Sequence, residues 1–355
     1  MKKIIFVDHA DFLGGGEYSL LSILRHIDRE RFRIAFAGCG APLCAAGALG
    51  IETFELYLSK LQSIFFPFRL LEGSAALRTI IREFEPDVVY ANTQRAALYC
   101  PGVFGRRGAK LVVHLRDAKL FISTERVLDS ADLVIVPSKF IRDTLCLGPR
   151  ARVIPSGIET EEIAEAGAGE WPEKLGKPLV LSAGRMLAWK RHTLFFEVAR
   201  RVRAQMPNVH FALAGGPLGS QREADCFEHL QQLAAASGVT LTGHLPSIAP
   251  LLKAADVFVC CSKNEPFGRV LAEAMAAGLP VVAFASGSTP EVLANGAGVL
   301  VPDEHGADAM AAAICQLLAR PNLKESLRAR ALARSRAFDA RVTTRQIEEA
   351  LASLW

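Results

Sequence analysis

The sequence predicts an α/β protein made of two parallel-sheet domains in succession, and three observations carry that expectation. Short apolar runs alternate with amphipathic stretches of helical length, the pattern of repeated βαβ units. The alternation comes in two series, separated by a stretch rich in Glu, Ala and Gly from Glu159 to Gly176. Glycine-rich or polar residues follow several of the apolar runs directly, where doubly wound sheets place their ligands.

The first series opens with Ile4–Val7 and the amphipathic Tyr18–Ile27. Further strands are expected at Ile34–Ala37, Thr53–Leu56, Val88–Ala91, Leu111–His114 and Leu133–Val136, which suits a Rossmann-like domain. Gly14-Gly15-Gly16-Glu17 falls between the first strand and its helix, where glycines let a ligand approach backbone amides closely. It matches neither a GxGxxG fingerprint with its acidic partner nor a P-loop, so dinucleotide and P-loop readings are weak. Polar clusters close the fourth and fifth strands: Asn92-Thr93-Gln94-Arg95, and His114-Leu115-Arg116-Asp117. Each reads either as a binding site at a strand's carboxyl end or as helix capping and a satisfied core histidine. Tyr57–Leu71 carries Leu61, Ile64, Phe65, Phe66 and Phe68 beside Lys60 and Arg69, and Pro67 interrupts any helix there. Both an interfacial membrane contact and ordinary core packing explain such a segment.

After Val153-Ile154-Pro155-Ser156-Gly157 the second series places strands near Leu179–Ala183, His210–Ala214, Val239–Thr242, Val257–Cys260, Val281–Phe284 and Val299–Val301. From about Pro321 to Trp355 the chain is helical, and such a tail can cross back onto a first domain. The expected division is therefore 1–158 with a terminal helix at 339–355, a connector at 159–176, and a second domain at 177–338.

Composition narrows the function. Half of the 355 residues are hydrophobic and the formal charge is only +4, which argues against a dedicated nucleic-acid binder. The apolar run after Met1 stops at Asp8, too short for an export signal, and no stretch is long and apolar enough to span a bilayer. Eight cysteines without a CxxC pair suggest reduced usage. The expectation is a cytoplasmic protein, with contact at the inner face of the membrane left open.

The chemistry concentrates in Glu265-Pro-Phe-Gly-Arg-Val-Leu-Ala-Glu273. Pro266 and Phe267 can open a helix, and Gly278 with Pro280 can close it, so free amides and the positive end of the helix dipole would face a ligand. The two glutamates lie eight residues apart, with Glu273 about two turns into that helix. They are either a dipole partner and a solvated side chain, or grips on two parts of one elongated ligand. Arg185 and Lys190, five residues apart after a strand, can clamp a diphosphate. Gly216 and the turn Gly243-His244-Leu245 offer backbone to a base.

Taken together these motifs resemble the retaining nucleotide-sugar glycosyltransferases of family 4, also called group 1. The resemblance rests on Gly14–Glu17, His114 to Asp117, Ile154-Pro-Ser-Gly-Ile158, Gly184-Arg185 with Lys190, the E-x7-E pair Glu265 and Glu273, and Gly287-Ser-Thr-Pro-Glu291. It implies the GT-B fold, with two facing Rossmann-like domains, an interdomain cleft and a C-terminal tail crossing back to the first domain. It also implies transfer of a sugar from a nucleoside diphosphate donor to an acceptor hydroxyl with retention. Arg185 and Lys190 would neutralise the departing diphosphate, so no metal or other cofactor is expected. Glu265 with the amides of Phe267 and Gly268 would take the sugar hydroxyls, Glu273 the ribose, and the Arg269 and Val270 amides the phosphate. Gly15 and Gly16 would approach the diphosphate, and His114 would lie beside the transferred sugar. Asn92, Arg95, Arg116 and Asp117 are the expected acceptor contacts, with a lipid-linked glycan as one acceptor class. A nucleotide-sugar epimerase and a non-catalytic sugar-nucleotide binding protein are the competing readings.

Overall fold

Among the described residues seven parallel strands form the first sheet: β1 (Lys2–Val7), β2 (Phe32–Gly38), β3 (Glu52–Glu55), β4 (Val88–Ala91), β5 (Lys110–His114), β6 (Leu133–Val136) and β7 (Ala151–Val153). Their order is β3-β2-β1-β4-β5-β6-β7, so the winding reverses between β1 and β4. Both faces are covered, which is why β1 reads as an unbroken apolar run. Ile5 and Val7 pack on one side with Val89, Ala91 and Val113. Ile4 and Phe6 pack on the other with Phe36, Tyr90 and Val112.

The second sheet has, among the described residues, six parallel strands: β8 (Leu179–Ala183), β9 (His210–Ala214), β10 (Thr240–Gly243), β11 (Val257–Cys260), β12 (Val281–Phe284) and β13 (Val299–Val301). Its order is β10-β9-β8-β11-β12-β13, with the reversal between β8 and β11. The computed structural model describes residues 1–58, 66–100, 108–121, 124–169 and 176–355. These divide into two units, Met1–Gly157 with Ala340–Trp355, and Ile158–Asp339.

The strands stand where the apolar runs put them, apart from end residues and the unforeseen β7. The stretch expected as a connector holds the helix Thr160–Glu165, whose Ile163 is buried with Leu252 and Leu271 in the second unit's core. Trp171 and Pro172 lie outside the described residues. So do residues 59–65 of the aromatic segment, with Lys60, Leu61, Ile64 and Phe65. Pro67 does not prevent a helix: it falls in the first turn of Phe66–Phe84, where no intrahelical N–H is required of it. The terminal helix Ala340–Ala352 belongs to the first unit, where Ile347, Ala350 and Leu351 pack with Leu20 and Leu24 of the helix Gly15–His26. Glu348 ties it down further by accepting from the Asp28 amide at 2.7 Å. Among the described residues no helix is long and apolar enough to cross a membrane.

Candidate functional site

In the second unit the candidate groups gather where the winding reverses. Arg185 and Lys190 leave the end of β8, and Glu265 follows its neighbour β11. Lys190 Nζ lies 2.8 Å from Glu265 Oε2, and both side chains are nearly buried. Two glycines flank this pair. Gly184 lies directly beside the Lys190 alkyl chain, which a Cβ there would meet at 3.4 Å, ordinary contact distance. Gly287, at φ +63°, sits so close to the Glu265 loop that a Cβ would stand 2.4 Å from the Glu265 nitrogen. The Ser288 amide then donates to the Glu265 carbonyl at 2.9 Å.

The loop between Arg185 and Lys190 is fastened from below. His192, buried, lies with Nε2 2.9 Å from the Arg185 carbonyl, and burial lowers its pKa to about 4. Arg191, at φ +50°, donates to the Cys261 carbonyl at 2.6 Å and to Asp303 at 2.6 Å. The Lys263 amide donates to the Trp189 carbonyl at 2.8 Å, and Lys190 Nζ stands 4.3 Å above the Trp189 ring. Arg185 itself donates through Nε to Glu223 at 2.9 Å.

The helix after Glu265 starts later than its proline suggests. Gly268, at φ +81°, caps Arg269–Ala276, a backbone shape that suits glycine. Glu273 is therefore about one turn in, not two. There it pairs with Arg269 across that turn at 2.9 Å. Burial pushes the Glu273 carboxyl upward against the pull of Arg269. The Phe267 side chain packs edge-on against Phe338 at 5.5 Å in the core, leaving its backbone for any ligand contact. At the start of a helix the Arg269 and Val270 amides have no partner within it. His244 is exposed beside Gly216, whose Cβ would come within 2.9 Å of the His244 nitrogen.

In the first unit a chain of buried polar groups crosses the reversal between β1 and β4. Asp8, fully buried after β1, accepts from the His9 amide at 2.6 Å and from Asn92 Nδ2. Burial pushes the Asp8 carboxyl up, but hydrogen bonds and charge from His9, then Asn92 and the Ala10 amide, bring it net below its ordinary value. Asn92 Oδ1 accepts from Arg116 Nη2 at 2.6 Å, and Arg116 Nη1 donates to Ser19 at 3.1 Å. Arg116 Nη2 also lies 3.3 Å from His114 Nδ1, which the Tyr90 hydroxyl meets at 2.7 Å. A guanidinium can only donate, so Nδ1 accepts and the ring proton sits on Nε2. That Nε2 is buried with no hydrogen-bond partner among the described residues. Burial, and then the charge of Arg116, hold the His114 pKa well below its ordinary value. The result is a neutral imidazole offering one N–H.

Two family models cover this chain in succession. Residues 13–162 match the one described as Glycosyltransferase Family 4, and residues 166–334 the one described as Glycosyl transferases group 1. The chain belongs to the group 1 glycosyltransferases. This glycosyltransferase is similar to the lipopolysaccharide core biosynthesis glycosyltransferase LpsE of Rhizobium meliloti (strain 1021), with 28% identity over 88% of each chain. It is also similar to the D-inositol 3-phosphate glycosyltransferase of Geodermatophilus obscurus, at 34% identity over 57% of this chain and 49% of that one, about half its length. Among solved structures it resembles Anabaena Alr3699/HepE in complex with UDP-glucose, with TM-score 0.82 at 25% identity over 99% of this chain and 100% of that one. Sucrose-phosphate synthase from Thermosynechococcus elongatus shares the fold, with TM-score 0.81 at 20% identity over 100% of this chain and 99% of that one. The two doubly wound sheets are those of the GT-B fold.

Within the glycosyltransferase the sequence-based assignments divide. Lys190 and Glu265 meet directly, whereas the Arg185 side chain, on the same loop as Lys190, pairs with Glu223. Asn92, expected as an acceptor contact, is fully buried with Nδ2 on Asp8 and Oδ1 on Arg116. Arg116, expected as an acceptor contact, lies against His114 Nδ1 at 3.3 Å, whereas Asp117 is exposed. Arg95 is half-buried, and its Nε has no hydrogen-bond partner among the described residues. A Cβ on Gly15 would meet nothing within 4 Å, while one on Gly16 would stand 3.0 Å from Arg116 Cδ. Asp8, Tyr90, His192 and Glu223 escaped sequence reasoning. The nearest signal was Ser220-x-x-Glu223, which announces a helix cap.

Proposed function

We propose that this glycosyltransferase moves a sugar from a nucleoside diphosphate donor, a UDP-sugar in the first instance, to an acceptor hydroxyl with retention and without a metal. The observation that carries the reading is the buried Lys190–Glu265 pair at the winding reversal of the second sheet, with Arg185 on the same loop as Lys190. As the bond from the anomeric carbon to the diphosphate oxygen breaks, charge builds on the leaving group, and two fixed cations stabilise it most at that point. Glu265 and the backbone at Phe267 and Gly268 take sugar hydroxyls, Glu273 the ribose, and the Arg269 and Val270 amides the phosphate. Gly216, His244 and Leu245 complete the donor contacts of the second unit, and in the first unit Gly15 and Gly16 offer backbone to a diphosphate.

Both carboxylates of the E-x7-E motif are held by cations, Glu265 by Lys190 and Glu273 by Arg269. A carboxylate so paired is a poor nucleophile, which favours attack by the acceptor on the face the diphosphate leaves. The acceptor oxygen bonds to the anomeric carbon, and its proton passes to the departing phosphate oxygen. His114 donates Nε2–H to a hydroxyl and does not act as a base, in keeping with its lowered pKa.

For the acceptor, the name of LpsE supports a lipopolysaccharide-like glycan. Tyr57, Phe68 and Leu71 are strongly exposed, the last two flanking Arg69 in sequence, which suits contact with the cytoplasmic face of a membrane that carries such an acceptor. The test is to incubate the protein without added metal against UDP-, GDP- and ADP-sugars, following thermal stabilisation and release of nucleoside diphosphate. One donor should stabilise the fold and be slowly hydrolysed, with release lost in Glu265→Ala. Stabilisation by no donor sinks the reading.

A further inference from the structure

Arg185 is mounted on a buried carboxylate. Its Nε donates to Glu223 Oε1 at 2.9 Å, and Glu223 has no exposed surface. The second carboxylate oxygen, Oε2, accepts from Ser220 Oγ at 2.9 Å. Ser220 in turn caps the helix Gln221–Ser237 by accepting from the Glu223 amide at 3.3 Å. In a capping box the third-position glutamate folds back onto the amide of the cap residue. Here its side chain turns instead to the serine hydroxyl and to an arginine that precedes it by 38 residues. Arg185 remains 37% exposed, so the buried carboxylate grips the stem side of a guanidinium that still reaches the surface.

A carboxylate beside a cation meant for a diphosphate lowers the local positive potential. Its benefit to the reaction must therefore come through orientation and not through charge. We infer that Glu223 is a positioning residue for the transfer reaction, holding Arg185 by Nε, with Ser220 as its support, so that the guanidinium faces the leaving diphosphate. The inference rests on the donor-site reading above.

The test is a double-mutant cycle on hydrolysis of whichever of UDP-glucose, GDP-mannose and ADP-glucose the wild-type protein turns over fastest. Glu223→Ala should lower kcat about 10- to 100-fold with donor KM changed less than about threefold. Glu223→Gln keeps an oxygen for the Nε–H and should lose less than about tenfold. In an Arg185→Ala background Glu223→Ala should cost less than about twofold more, because there is nothing left to orient. Equal losses in both backgrounds overturn the inference and leave the donor-site reading standing. An Arg185→Ala enzyme with wild-type kcat overturns both. Should Glu223→Ala fail to fold, Ser220→Ala carries the same cycle, with a loss of about 3- to 10-fold expected only when Arg185 is present.

Discussion

The Tyr90 hydroxyl stands 2.7 Å from His114 Nδ1, and with Arg116 on the same nitrogen it commits the ring to donating from Nε2. Glutamine can present an amide N–H near that position, whereas alanine cannot. His114→Ala should therefore lower kcat/KM by about 10- to 100-fold, the range for losing a buried hydrogen bond to substrate, and His114→Gln by less. Because the ring stays neutral well below its ordinary pKa, the pH profile should lack a limb near 6.5. A limb there that disappears in His114→Gln would assign the histidine to base catalysis instead.

The Lys190–Glu265 pair predicts an asymmetry in stability. Removing one partner of a nearly buried pair strands the other charge, at a cost of about 3–5 kcal/mol. Lys190→Ala should thus be less stable in urea than the double variant Lys190→Ala/Glu265→Ala, while both turn over more than about tenfold slower than wild type.

Two glycines should behave oppositely. Gly287→Ala puts a Cβ 2.4 Å from the Glu265 nitrogen at φ +63°, so it should displace the loop and lower both stability and turnover. Gly15→Ala meets nothing within 4 Å and lies in a helix's first turn, so it should fold at least as stably as wild type. If the donor approaches that backbone, donor hydrolysis should still fall, and unchanged kinetics would remove Gly15 from the donor contacts.

His192 predicts an acid limb of stability. The folded protein holds it neutral down to about 4, whereas the unfolded chain protonates it near 6.5. Below pH 6.5 the unfolded state binds more protons, so stability is full above that value and declines as pH falls toward 4. The slope from this residue is about 1.4 kcal/mol per pH unit at most. Urea midpoints from pH 7 to 4.5 should fall less steeply in His192→Gln than in wild type.

What the sequence disclosed follows from how local each signal is. The strands were legible because both faces are buried and leave unbroken apolar runs, as in Ile4–Val7 and Val281–Phe284. Glu265 and Glu273 were legible through their spacing, although the helix between them starts at Arg269 because Gly268 takes a left-handed shape that a proline two residues earlier does not announce. The polar network was hidden because its partners are remote: Asp8 meets Asn92 across 84 residues, and Arg185 meets Glu223 across 38. The surroundings of Asn92 were hidden for the same reason, since only the fold brings Asp8 and Arg116 to its amide.

The second unit is an insertion in the first: the chain leaves at Gly157 and returns at Ala340 to supply Ile347 and Leu351 to the earlier core. During vectorial synthesis, residues 158–339 emerge from the ribosome while that core still lacks its last helix. The inserted unit can thus complete its own sheet first, and the first unit waits for the helix Ala340–Ala352 to be translated. A nascent chain arrested before residue 340 should expose Leu20 and Leu24 to chaperones, and a chain whose residues 340–352 have cleared the ribosome should conceal them.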